Sequence, residues 1–181
     1  DADAVRDCAR SIRLHTLSRL DEYLEQFEAN VTSVGGQVHW ASDAQEANEI
    51  VLDLARSRSV KRVVKSKSMV SEEIELNQAL ISGGLDVVES DLGEYIIQLA
   101  GETPSHIIAP AVHKTREQIG QLLADKLGVP MTDDPVEMTA TARSALRDVF
   151  LQSEMGISGV NFGVASTGSL AIVTNEGNAS L

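Results

Sequence analysis

The sequence predicts an α/β fold, with a mostly parallel sheet flanked by helices, a long N-terminal helix and a C-terminal antiparallel hairpin. Three observations predict it. Short runs rich in Val, Ile and Leu alternate with amphipathic stretches of helical length, the pattern of βαβ units. The last two apolar runs, 162–165 and 170–173, are separated only by Ser166-Thr167-Gly168-Ser169, too close for a crossover and suited to a hairpin. Ahead of all strands, Val5, Cys8, Ile12, Leu17, Leu20, Leu24, Phe27 and Val31 recur at three- to five-residue steps, as on one helix face.

Taken in order, residues 2–32 form that first helix, and Gly35-Gly36 ends it. Residues 37–40 read as a short strand. Asp43 then caps a helix carrying Ala47, Ile50, Val51 and Leu54. A buried strand is expected over 60–65, followed by a polar loop and a helix from Ser71 through Ile81 that closes on Gly83-Gly84. Strand 85–89, helix 92–99, strand 106–109 ending at Pro110, and helix 114–127 stopped by Gly128 continue the alternation. Residues 134–155 carry Val136, Met138, Ala142, Leu146, Val149 and Phe150 at helical spacing behind Pro135, so a helix is expected there up to Gly156. This divides the chain into an N-terminal helix, 1–34, and an α/β domain, 35–181. The chain starts inside a helix and stops just after the turn-like Asn175-Glu176-Gly177-Asn178, so it reads as an excerpt truncated at its C-terminus.

Composition narrows the function. Fifteen Lys and Arg against 27 Asp and Glu give a net charge of -12, which repels phosphate backbones, and aromatic residues are only 3%. A nucleic-acid partner is not expected. The single cysteine, Cys8, excludes an internal disulfide and any cluster held by four thiolates from this chain. No apolar run approaches the roughly 20 residues of a membrane span, and no secretory signal opens the chain, so a cytoplasmic protein is expected.

In open α/β sheets the ligand crevice lies beyond the carboxyl ends of the strands. Lys65-Ser66-Lys67-Ser68 falls there, bringing two ammonium groups and two hydroxyls to the start of a helix, a candidate anion site. It lacks the glycines of a phosphate-binding loop, and a solvated linker capping a helix reads equally well. Asn77 lies on the helix that follows. Asp91 and Glu94, three apart after the next strand, offer two carboxylates on one side of a helical turn, as acid and base or as a cap with a first-turn Glu. His113 and Lys114 follow the end of strand 106–109. Thr167, Gly168 and Ser169 bring hydroxyls and amides to the hairpin tip, where Gly168 permits close approach to a ligand. The four histidines show no tight metal-ligand spacing, so no metal is expected, and no Gly-x-Gly-x-x-Gly follows a strand.

Three segments together are distinctive: KSKSMVSEEIELN at 65–77, ESDLGEYIIQLAGETPSHIIAPAVHKTREQI at 89–119 and GVNFGVASTGSLAIVTNEGNA at 159–179. In these the chain resembles the lactate-utilisation (LUD) domain family. The resemblance implies a fold of the NagB, ribose-5-phosphate isomerase and CoA-transferase group, and a component of bacterial L-lactate oxidation to pyruvate with an accessory or electron-transfer role. It implies other lactate-utilisation subunits as partners, and iron–sulfur clusters in a cysteine-rich extension after this domain, with no cofactor in the chain itself. Lys65, Lys67, Ser68, Glu72 and Asn77 fall in the first family motif, Asp91, Gly93, Glu94, His113 and Lys114 in the second, and Thr167, Gly168, Ser169 and Asn175 to Asn178 in the last. Ser166 and Ser169 stand where Glu and Thr are expected, so a carboxylate is missing at Ser166 unless Glu176 replaces it. The alternative on the same fold is an anion-binding isomerase or acyl/CoA-transfer enzyme, with Lys65 or Lys67 holding a phosphate-bearing ligand or small carboxylate. Glu94, His113 and Glu176 are then the catalytic candidates.

Overall fold

The computed structural model describes residues 1–105 and 109–174. Contacts group the chain into two units, one of Asp1–Trp40 with Val160–Val173 and one of Ala41–Gly159 with Thr174. In the first, helix α1 (Ala2–Ser18) begins at the cap of Asp1, and helix α2 (Leu20–Ser33) follows after a break at Arg19. One helix was expected over 2–32. The break arises because Arg19 leaves helical geometry, at φ -135° and ψ 32°, and its guanidinium is held by Glu22 one turn ahead.

Residues 37–40, expected as a strand, pair with no strand among the described residues. Trp40 instead ties back to α2, its indole N–H donating to Glu28 Oε2 at 3.1 Å.

The second unit carries the parallel sheet. Helix α3 (Ala44–Ser57) starts at Asp43, whose side chain accepts from the Glu46 amide, while the Glu46 carboxylate reaches back to Ser42. Strand β1 (Arg62–Lys65) leads through helix α4 (Met69–Glu73) and helix α5 (Leu76–Ser82) to strand β2 (Asp86–Glu89). A single helix was expected from Ser71 to Ile81. It begins earlier, capped by Ser68, and is interrupted where Glu75 takes the left-handed conformation, at φ +55°. Helices α6 (Leu92–Ala100), α7 (Arg116–Leu127) and α8 (Pro135–Gln152) follow, and strand β3 (Met155–Ile157) closes the unit. The strand expected over 106–109 lies largely outside the described residues.

Strand β3 replaces the last turn of the helix expected over 134–155. Parallel pairing wins over helical periodicity, because Met155, Gly156 and Ile157 align with Val63, Val64 and Lys65 of β1. Glu154 fastens the junction by accepting from the amides of Lys61 and Arg62. The sheet order is β2-β1-β3, all parallel, with β1 at the centre.

Alternation along the strands covers both sheet faces. Val63 and Val87 pack with Ala55, Leu76 and Leu80 of α3 and α5, while Val88 packs with Tyr95, Ala142 and Leu146 of α6 and α8. Helix α7 passes so close to the 132 segment that a Cβ at Gly120 would lie 1.9 Å from the Thr132 carbonyl oxygen.

Strands β4 (Phe162–Val164) and β5 (Ser169–Ala171) form the expected antiparallel hairpin in the first unit. Its turn at Gly168 has φ +69°, and a Cβ there would lie 2.5 Å from the Val31 amide nitrogen of α2. Only glycine satisfies both conditions.

Candidate functional site

The three parallel strands end together, with Lys65 opposite Glu89 on one side and Ile157 on the other. This register puts an ammonium and a carboxylate at the same level on adjacent strands. Lys65 is only 1% exposed, and its Nζ lies 2.9 Å from Glu89 Oε1 while donating to Ser71 Oγ at 3.1 Å. Ser71 in turn donates to the Ser68 carbonyl at 2.7 Å. Asn77, on α5, donates through Nδ2 to the same Glu89 oxygen at 2.7 Å. Taking an ammonium and a carboxylate out of water is offset only by such pairing and hydrogen bonding.

Helix α6 closes the other side. Gln98 accepts from the Glu89 amide and donates to the Val87 carbonyl, so its side chain continues the ladder along β2. Asp91 caps the helix by accepting from the amides of Gly93 and Glu94. Glu94 is buried behind this cap, with Oε1 3.9 Å from Lys67 Nζ. Burial, then the neighbouring carboxylates of Glu72 and Glu89, push its carboxyl up to about 7, against the opposing pull of Lys67.

Over these strand ends lies a cleft of about 500 Å³. Its walls include Glu72, Glu75, Glu89, Glu94 and Glu102, and no lysine or arginine lines it among the described residues. The cations expected to make an anion pocket are engaged elsewhere. Lys65 is sealed beneath the cleft against Glu89, and Lys67 does not line the cleft, its Nζ lying 3.9 Å from Glu94 Oε1. Ser66 joins the loop to the end of β3, its amide donating to the Ile157 carbonyl and its hydroxyl to Ser158 Oγ. Ser68 caps α4 and packs against Gly159, where a Cβ would lie 3.2 Å from its side chain.

His113 and Lys114 meet at Glu102, with Nε2 2.7 Å from Oε2 and Nζ 2.6 Å from Oε1. Those hydrogen bonds, from Lys114 first and then His113, hold the Glu102 carboxyl below its ordinary range. Lys114 therefore neutralises a rim carboxylate that the His113 ring also contacts. Lys65, Ser66, Lys67, Ser68, Asn77, Asp91 and Glu94 are thus gathered at the strand ends, with His113 and Lys114 reaching the rim through Glu102. Thr167, Gly168 and Ser169 belong to the other unit, where Thr167 donates to Ser169 Oγ at 2.9 Å and Gly168 serves the turn. Glu176 lies outside the described residues.

Sequence reasoning missed Glu89, the centre of the buried network. The signal was present: RVVK and DVVE each end on a charge of opposite sign, and parallel pairing in register makes those charges neighbours. Gln98 left no comparable signal, because its function depends on which face of α6 meets the edge of β2.

The donor set does not fit an iron–sulfur cluster. Cys8 is the single cysteine, and no group of three or more His, Cys, Asp and Glu side chains among the described residues is placed to hold a metal ion. No helix among the described residues is long and apolar enough to cross a membrane.

The chain is similar to proteins named lactate utilization protein B from Bacillus thuringiensis, Bacillus cereus and Bacillus anthracis. Each is 52% identical over 176 residues, covering 97% of this chain and 37% of the relative. The chain therefore spans little more than a third of the length of these curated relatives. No solved structure matches it. The family model of the LUD domain matches residues 24–181, and the chain belongs to the LUD domain family.

Proposed function

We propose that this chain is the LUD domain of an iron–sulfur component of bacterial L-lactate utilisation, with an accessory or electron-transfer role in oxidising L-lactate to pyruvate in the cytoplasm. One observation carries the reading: 52% identity over 97% of the chain to relatives named lactate utilization protein B. The oxidation removes two electrons and two protons from the substrate. With one cysteine in the sequence, this chain cannot hold a four-thiolate cluster, so the clusters belong to sequence outside these residues and the domain works with other lactate-utilisation subunits. What its own residues offer is a buried carboxyl near neutrality, Glu94, within a cleft at the strand ends.

The test is an anaerobic assay of lactate-dependent dye reduction. The full-length protein, reconstituted with its clusters and combined with its partner subunits, should reduce the dye, while residues 1–181 alone should not. Turnover by the isolated chain would overturn this division of labour.

A second reading is favoured by the same Glu94, whose near-neutral carboxyl suits a general acid or base. The chain would then be an isomerase or acyl/CoA-transfer enzyme whose anionic ligand is held by Lys67. Calorimetric titration with CoA esters and sugar phosphates separates the two readings, because this one requires binding that weakens in Lys67→Ala.

A further inference from the structure

We propose that the cleft at the ends of β1 and β2 binds a small primary ammonium, which donates to Glu89 Oε2 and Asn77 Oδ1. The proposal stands whether or not the chain serves lactate oxidation. Lys65 and Asn77 both engage Oε1 of Glu89, and the second oxygen, Oε2, has no hydrogen-bond partner among the described residues although the side chain is 7% exposed. Asn77 spends its amide N–H on that carboxylate, which leaves its own Oδ1 as a second buried acceptor without a partner. Unmet acceptors of this kind are uncommon in folded proteins and call for a donor.

The chemistry of the donor follows from what surrounds it. Both unmet atoms are acceptors, so a carboxylate or fully ionised phosphate placed against them would meet only repulsion. Glu72, Glu75 and Glu94 face the same cleft with no lining lysine or arginine, while Glu102 is neutralised at the rim by Lys114 and Lys65 balances Glu89 from beneath, so the carboxylates of the walls favour a positive charge. A bare metal ion is the weaker candidate, since no three ligating side chains converge among the described residues. An ammonium supplies several N–H donors from one centre and needs no fixed coordination number. Beyond the polar end, Ile81 and Pro104 offer apolar surface for a short alkyl chain, and a cleft of about 500 Å³ accommodates a molecule of that size.

Glu94 provides an independent readout. Its carboxyl, raised to about 7 by burial and neighbouring carboxylates, would be lowered by a cation arriving in the cleft, so binding near pH 7 should release protons.

The experiment is isothermal titration of the 181-residue chain at pH 7 with n-propylammonium, n-propanol, tetramethylammonium and propionate, repeated in buffers of different ionisation enthalpy. Propylammonium should saturate one site at least about tenfold more tightly than any of the others. Propanol matching it would show a neutral hydroxyl site, tetramethylammonium matching it a site for charge without donors, and propionate matching it an anion site. Each result overturns the proposal, as does the absence of saturation by propylammonium. In the double variant Lys65→Met/Glu89→Leu the buried pair is replaced by apolar side chains, and affinity should fall at least about tenfold. Should that variant fail to fold, Asn77→Leu removes the second acceptor and should show a loss of similar size. Undiminished affinity in a folded variant overturns the proposal. Perturbation of the Asn77 side-chain amide resonance on titration locates the site, and an unshifted resonance at saturation also overturns it.

Discussion

The two units of the chain use similar patterns to different ends. In the sheet unit, β1 and β2 are covered on both faces, and among the described residues every buried hydrophobic residue lies between Ala55 and Leu146. In the helical unit, neither α1 nor α2 holds a buried residue, and β4 is exposed along its length. The sheet unit has solvated pairs of its own, such as Arg56–Asp53, but it also holds a buried one. Lys65–Glu89 has side chains 1% and 7% exposed, whereas Arg6–Asp3 and Arg19–Glu22 are solvated pairs one helical turn apart. The difference teaches that an amphipathic stripe states a capacity for burial, while a two-sided sheet is what turns that capacity into a core able to hold a charge. It also implies that single substitutions should be costly in one unit and nearly silent in the other.

The sharpest contrast comes from Lys65→Ala. Removing the ammonium leaves the Glu89 carboxylate buried without its counter-charge, a change expected to cost about 3–5 kcal/mol. The double variant Lys65→Met/Glu89→Leu removes both charges and should recover most of that loss. Urea denaturation of both variants measures the difference. A loss below about 1 kcal/mol in Lys65→Ala would mean that the pair is effectively solvated and that the contrast between the units is false.

Glu94 tests the same idea through pH. Its folded carboxyl titrates near 7 rather than at the ordinary 4.5, so between these values the native state holds a proton that the unfolded chain has released. Stability from this group is therefore greatest below about pH 4.5 and is lost as pH rises through about 7. The loss is on the order of 3 kcal/mol, as an upper bound. Glu94→Gln should thus gain stability relative to the parent at pH 8 and match it at pH 4, as read from denaturation midpoints at the two values. Equal effects at both values would show that the carboxyl is not strained by its surroundings.

How much of this was legible in the sequence depended on whether the information was local. Asp43, Asp91 and Pro135 mark helix starts where the sequence places them, because a cap acts within one turn. The hairpin was legible from the short gap at Gly168. The breaks at Arg19 and Glu75 were not, since neither is a glycine or a proline and helical periodicity runs through both. Strand β3 was hidden because Met155-Gly156-Ile157 is apolar, short and continuous with a helix, and only its alignment with β1 makes it a strand. For the site, position was legible and charge balance was not. Lys65 and Lys67 mark the strand end, but which carboxylates neutralise them is set by register and by helix α6, whose contributions are long-range.

The smallest expected effect lies on the exposed face of α1. Ile12 is 61% exposed, and Val5, Leu14 and Leu17 are 70%, 58% and 64% exposed on the same helix. Truncating a side chain that remains in water removes little transfer free energy, and alanine has the higher helix propensity, so Ile12→Ala should change stability by no more than about 0.5 kcal/mol, with helix formation slightly favoured. Thermal denaturation of the chain at two concentrations checks this. A loss above about 1.5 kcal/mol, or a melting temperature of the parent that rises with protein concentration and ceases to do so in Ile12→Ala, would reveal an apolar stripe covered in solution. Amphipathicity would then have been satisfied by association, and the difference between the units would be one of partner rather than of burial.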